Sequence, residues 1–73
     1  MNMKKHSVTI LGHETSITLE DEFWNALKVE ATTNGLSLNK LIAEIDDARD
    51  LQTNLSSAIR LYILKNLQTR FNA

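Results

Sequence analysis

Seventy-three residues without cysteine exclude a disulfide-stapled scaffold and any thiolate zinc site, and a formal charge of −1 is not the basic balance of a strong polyanion binder. No apolar run approaches the roughly 18 residues that would span a bilayer, and a 42% hydrophobic content is too high for a disordered chain. A domain this small is marginal by itself, so oligomerisation is the one staple left to it.

The N-terminal stretch Met1-Asn2-Met3-Lys4-Lys5-His6 has two lysines but no apolar block of the kind a secretion signal needs, which points to a cytoplasmic protein. Ser7-Val8-Thr9-Ile10-Leu11 and Ser16-Ile17-Thr18-Leu19-Glu20 then repeat one pattern, alternating hydroxyl and aliphatic residues with the period of a half-buried strand. Strands are expected over about 6–11 and 15–19. Glycine at the first central position of a two-residue turn suits type II′, which puts Gly12-His13 at the tip. That register pairs Ile10 with Thr15, Val8 with Ile17 and His6 with Leu19 on an apolar face. Thr9 with Ser16, Ser7 with Thr18 and Lys5 with Glu20 form the polar face, the last as a charge pair.

From Glu20 the period becomes helical. Glu20, Asp21 and Glu22 complement the dipole of a helix over about 20–33, with Phe23, Ala26, Leu27 and Ala31 along its inner stripe. Asn34-Gly35 ends it, Gly35 being the left-handed residue after the cap. Ser37 caps a second helix over about 37–49, whose stripe is Leu38, Leu41, Ile42 and Ile45. The polar run from Asp46 to Thr53 leaves little apolar face. Asn54 or Thr53 caps a third helix over about 54–69, with Leu55, Ala58, Ile59, Tyr62, Ile63 and Leu67 on one side and Phe71 extending the stripe or fraying.

Charge is unevenly spread: +2 over residues 1–13, −6 over 14–50 and +3 over 51–73. An anionic partner would meet the N-terminal segment or the last helix. Glu44, Asp46, Asp47 and Asp50 lack the alternating ligand spacing of a calcium loop and read as a solvated face. His6 and His13, seven apart, are not spaced as a metal pair. No nucleophile, base and orienting group come together in the pattern, and no cofactor is implied, so the chain does not read as an enzyme. Trp24, beside the Phe23 stripe, reads as a half-buried interface residue; Arg60 and Tyr62 read as packing and solvent residues.

The order strand, helix, Gly35-Leu36-Ser37, helix resembles the ribbon-helix-helix (Arc and methionine-repressor-like) superfamily over residues 15–45. The longer string Lys-His-Ser-Val-Thr-Ile, Ser-Ile-Thr-Leu-Glu-Asp-Glu-Phe-Trp, Gly-Leu-Ser-Leu-Asn and Asn-Leu-Ser-Ser-Ala-Ile-Arg is similar to a bacterial subfamily of these proteins over most of residues 5–67. The resemblance implies an α+β, mostly helical fold with an extra N-terminal strand and an extra C-terminal helix, assembled as an intertwined homodimer. Two chains would each give one strand, residues 16–19, to an antiparallel ribbon. It further implies a transcriptional regulator whose outward ribbon side chains, here Ser16 and Thr18, enter the major groove of double-stranded DNA. Ser37, Leu38, Asn39 and Lys40, at the start of the second helix, would clamp a phosphate through free N–H groups.

Two features depart from that pattern. Relatives often place Arg or Lys for guanine where this chain has Glu14, which cannot donate to a base. A dimer in which each chain adds its own hairpin strand has four strands at about 4.8 Å each, too wide for a groove about 12 Å across. Either Lys5, Ser7 and Thr9 supply the reading surface in a rearranged ribbon, or DNA is met differently, or not at all. In the last case the chain is a protein-interaction dimer, antitoxin-like or adaptor, that keeps the fold without reading sequence.

Overall fold

The computed structural model describes the backbone of residues 3–72 and the side chains of residues 3–70. The expected extension of the apolar stripe to Phe71 therefore lies outside the described side chains. Two antiparallel strands, β1 (Met3–Ile10) and β2 (His13–Glu20), precede three helices, α1 (Asp21–Thr33), α2 (Leu38–Ala48) and α3 (Leu55–Asn72).

The hairpin is longer than expected and shifted in register. Ile10 pairs with His13, Val8 with Thr15, Ser7 with Ser16, His6 with Ile17 and Lys5 with Thr18. The tip is Leu11-Gly12, not Gly12-His13. Both central residues have positive φ, 50° at Leu11 and 83° at Gly12, which is the type I′ pattern rather than II′. The shift relative to expectation is two residues, and an even shift keeps every side chain on its face. Val8, Ile10, Ile17 and Leu19 are accordingly buried beneath the sheet, as the alternation requires. The expected Lys5–Glu20 charge pair is lost with the change of register: Lys5 faces Thr18, and Met3 faces Glu20.

The helices form for the reasons their sequences suggest. Asp21 and Glu22 occupy the first turn of α1, and Leu27 and Ala31 face inward with Phe23 and Ala26 packed beside them. The helix stops in a Schellman closure. Gly35, at φ 68°, donates its N–H to the Thr32 carbonyl at 3.1 Å, and Leu36 donates to Ala31 at 2.9 Å. Ser37 opens α2, its Oγ accepting from the Lys40 N–H at 3.1 Å, and Leu41, Ile42 and Ile45 are buried. Asn54 opens α3, its Oδ1 accepting from the Ser57 N–H at 2.9 Å.

The acidic run at the end of α2 has structural work that composition did not suggest. Arg49 donates from Nε to Asp46 Oδ1 at 2.7 Å and from Nη1 to the Thr53 carbonyl at 2.8 Å. Asp50 accepts from the Gln52 N–H at 3.0 Å. These bonds turn the chain between α2 and α3. Ala58, Ile59 and Ile63 of α3 then close the core against Leu19, Leu27 and Ile42.

Past Ile63 the expected stripe fails: Leu67 is exposed, and Asn66 and Arg70 turn toward α1 instead. The cause is Glu30, only 7% exposed, whose carboxylate is met by Arg70 Nη2 and, at 3.5 Å, by Asn66 Nδ2. A carboxylate enclosed this far needs a charged or donating partner, and α3 supplies both.

Candidate nucleic-acid interface

The sheet has one buried and one solvent-facing side. A two-residue turn makes Ile10 and His13 the pair that exchanges both backbone hydrogen bonds. Alternate pairs outward from it are therefore the close, non-hydrogen-bonded kind, with Cα atoms about 4.5 Å apart and side chains nearest each other. Those pairs are Thr9 with Glu14, Ser7 with Ser16 and Lys5 with Thr18, and all six residues are exposed. The structure thus brings Lys5, Ser7, Thr9, Ser16 and Thr18 onto a single face, where four hydroxyls are bracketed by a lysine and a glutamate.

Alternation sends Lys4 to the other side, where its Nζ lies 3.6 Å from Asp21 Oδ2. Lys5 is consequently the one lysine of the outward face. His6 also points inward, stacking on Trp24 with ring centroids 3.7 Å apart and planes inclined by 8°. Trp24 spends its face on that imidazole and on the core, and His6 Nε2 is enclosed without a hydrogen-bond partner.

The same pairing decides what becomes of the sheet edges. Residues in close pairs direct their N–H and C=O groups away from the neighbouring strand. On β2 the Thr18 carbonyl is taken by Ser56 Oγ at 2.9 Å, so the start of α3 is fastened along that edge. Two residues on, Arg60 Nε donates to Glu20 Oε1 at 2.8 Å, and the guanidinium lies 6.0 Å from the Phe23 ring centroid. The hydrogen bond from Arg60 holds the Glu20 carboxyl below its ordinary range. An open groove of about 390 Å³ remains beside this seam, bounded by Ser16, Thr18, Asn54, Ser56 and Arg60. On β1 the edge of Lys5, Ser7 and Thr9 has no partner among the described residues.

Ser37, Leu38, Asn39 and Lys40 begin a different element. Ser37 Oγ engages the Lys40 N–H and the Ser37 carbonyl engages Leu41, leaving the N–H groups of Leu38 and Asn39 without an acceptor among the described residues. Ser37, Asn39 and Lys40 are exposed and Leu38 is half-buried. No hydrogen bond or ion pair among the described residues joins this helix start to the strand hydroxyls. The structure therefore offers two polar surfaces, the ribbon face and the α2 start, rather than one merged site.

Sequence reasoning missed Ser56, Arg60 and Glu30 because each acts on a residue some forty positions away. Only the unusual placement of Glu30 on the Leu27–Ala31 side of α1 offered a signal. Away from the sheet, Leu61, Leu64 and Leu67 stand exposed along α3. Next to them a crevice of about 280 Å³ lies between α2 and α3, with Ile45, Ala48, Arg49, Tyr62 and Lys65 among its walls.

No helix among the described residues is long and apolar enough to cross a membrane. A family model described as a ribbon-helix-helix domain matches residues 3–67. No curated protein and no solved structure matches the chain.

Proposed function

Since the chain belongs to the ribbon-helix-helix family, whose domains are typically DNA-binding regulators that form dimers, we propose that it is a cytoplasmic transcriptional regulator binding double-stranded DNA as a homodimer. The observation that carries this reading is the outward face of the hairpin, where Lys5, Ser7, Thr9, Ser16 and Thr18 stand exposed and together. Two strands at about 4.8 Å spacing fit a major groove about 12 Å wide, and short hydroxyls approach base edges closely. Ser37, Leu38, Asn39 and Lys40 take a backbone phosphate through the unused N–H groups and the lysine. The exposed leucines of α3 supply apolar surface on which two copies can meet.

A gel-shift titration against mixed duplexes at low salt tests this. Binding that weakens steeply with added salt supports it, and no affinity for any duplex at low salt removes it.

A second reading has its own support. Glu14 on the ribbon face repels phosphate, while Leu61, Leu64 and Leu67 beside an apolar crevice suit a protein. In that reading the chain is a protein-interaction dimer, antitoxin-like or adaptor, without sequence-specific DNA recognition. Replacing Lys5 and Lys40 with alanine separates the two: loss of DNA affinity favours the first reading.

A further inference from the structure

The free edge of β2 is open except at one atom. Pairing with β1 turns the N–H and C=O groups of Glu14, Ser16 and Thr18 away from the hairpin. Those of Glu14 and Ser16 meet no partner among the described residues, and the groove beside Ser16 and Thr18 leaves room along the edge. The Thr18 carbonyl is the exception, since Ser56 Oγ donates to it at 2.9 Å.

A second copy of β2 suits this edge. Run antiparallel about a two-fold axis through Ser16, it sets Ser16 against its own counterpart and Glu14 of each chain against Thr18 of the other. An axis one residue further along would set Glu14 against Glu20, a like-charge pair that weakens a sheet. In the favoured register, the N–H of Glu14 from the second copy needs the Thr18 carbonyl as its acceptor. Ser56 Oγ already stands at hydrogen-bond distance from that oxygen, where the incoming N–H has to lie.

We propose that Ser56 is a latch on dimer assembly. Its hydroxyl holds the Thr18 carbonyl in the single chain and yields it to the strand of the second copy. The exchange leaves the core seated, because Ser56 is only half-buried while Ala58 and Ile59 carry the packing of this turn. The latch rests on the homodimer proposed above and adds the intrachain contact that competes with it. Two separate chains hold two such bonds and the dimer holds none, so removing the hydroxyl favours the dimer. One net hydrogen bond shifts an equilibrium by about twofold to tenfold, and two shift it by about fivefold to a hundredfold.

Sedimentation equilibrium on the full-length chain tests this. S56A is expected to lower the dimer dissociation constant by about fivefold to a hundredfold. S56T keeps the hydroxyl and should match the wild type, as should S57A, whose lost hydroxyl makes no hydrogen bond among the described residues. Mild oxidation of S16C locates the contact: the proposed axis brings the two Cα atoms about 5.5 Å apart, so the chains should link. Should S56A fail to fold by circular dichroism, S56V, which has the shape of S56T without the hydroxyl, gives the same readout. A dimer that links through S16C but is not tightened by S56A overturns the latch and leaves the homodimer standing. A dimer that S16C does not link overturns the latch as well, because the copies then meet elsewhere. Chains that stay single in every variant at the highest concentration reached remove the homodimer reading and the latch together.

Discussion

Helix α3 presents two aliphatic residues, two positions apart, whose truncation should cost very different amounts. Ile59 is fully enclosed, packed with Leu19, Leu27 and Ile42, whereas Leu61 is 47% exposed. Removing a buried isoleucine side chain to alanine costs about 2–5 kcal/mol, combining lost transfer energy with the cavity left behind. A fully buried leucine is worth about 1.5–3 kcal/mol, so one half-exposed should lose about 1 kcal/mol on truncation. At about 0.05–0.15 kcal/mol per residue, the whole domain has roughly 4–11 kcal/mol to lose, so I59A sits near the threshold of unfolding. I59V, at about 0.5–1.5 kcal/mol, keeps the series measurable if it crosses that threshold. Urea midpoints followed by far-ultraviolet circular dichroism at several protein concentrations give the comparison. Thermal scans should show it as well, since each kcal/mol moves the midpoint of a domain this size by about 4–8 °C. If I59A costs no more than L61A at low protein concentration, α3 is not part of the core and the reasoning fails. If L61A becomes as costly as I59A only at high concentration, the leucine face is covered by a second copy.

Three further outcomes follow from other parts of the chain. Leu11 holds a left-handed conformation at φ 50° while 84% exposed, so L11N should raise stability by about 1 kcal/mol, read as a higher urea midpoint with unchanged slope. The Arg60 hydrogen bond holds the Glu20 carboxyl below the ordinary glutamate range, so its stabilising contribution is complete above that range. The contribution is lost as pH falls through the depressed folded-state pKa; R60Q should flatten this acid limb in stability measured against pH, and an unchanged limb would contradict the pairing. On DNA, K5A should lower the slope of log affinity against log salt by about 1, uniformly across sequences if it meets only phosphate, whereas E14K should tighten binding and steepen that slope.

The helices were legible because their signals are local. The Phe23, Leu27, Ala31 spacing, the Gly35 closure and the Ser37 cap each need only a few neighbouring residues to form, and all three occur as expected. The family match and the strand-to-helix order were legible on the same ground. The hairpin register was not, because two turns competed. Leu11-Gly12 puts leucine at positive φ, a local cost that turn rules weigh against it. The gain appears only when the pairing is followed outward, where each strand grows to eight residues and reaches Met3 and Glu20. The lower half of α3 was misread for a similar reason: its pattern favours Leu67 inside, but the buried Glu30 on another helix recruits Asn66 and Arg70. At the site, the outward hydroxyls survived the register error because parity alone selects them. The fastening of β2 by Ser56 and Arg60 joins residues about forty positions apart, beyond any periodicity.

The stack of His6 on Trp24 ties the middle of β1 to the first turn of α1 through the only indole in the chain. Emission from that single indole, excited apart from Tyr62, consequently reports on the seating of the N-terminal strand and can be set beside the loss of helix seen by circular dichroism. An unlabelled sample mixed rapidly into denaturant would then reveal the order of events, showing whether the strand lifts away before the helices melt or departs together with them.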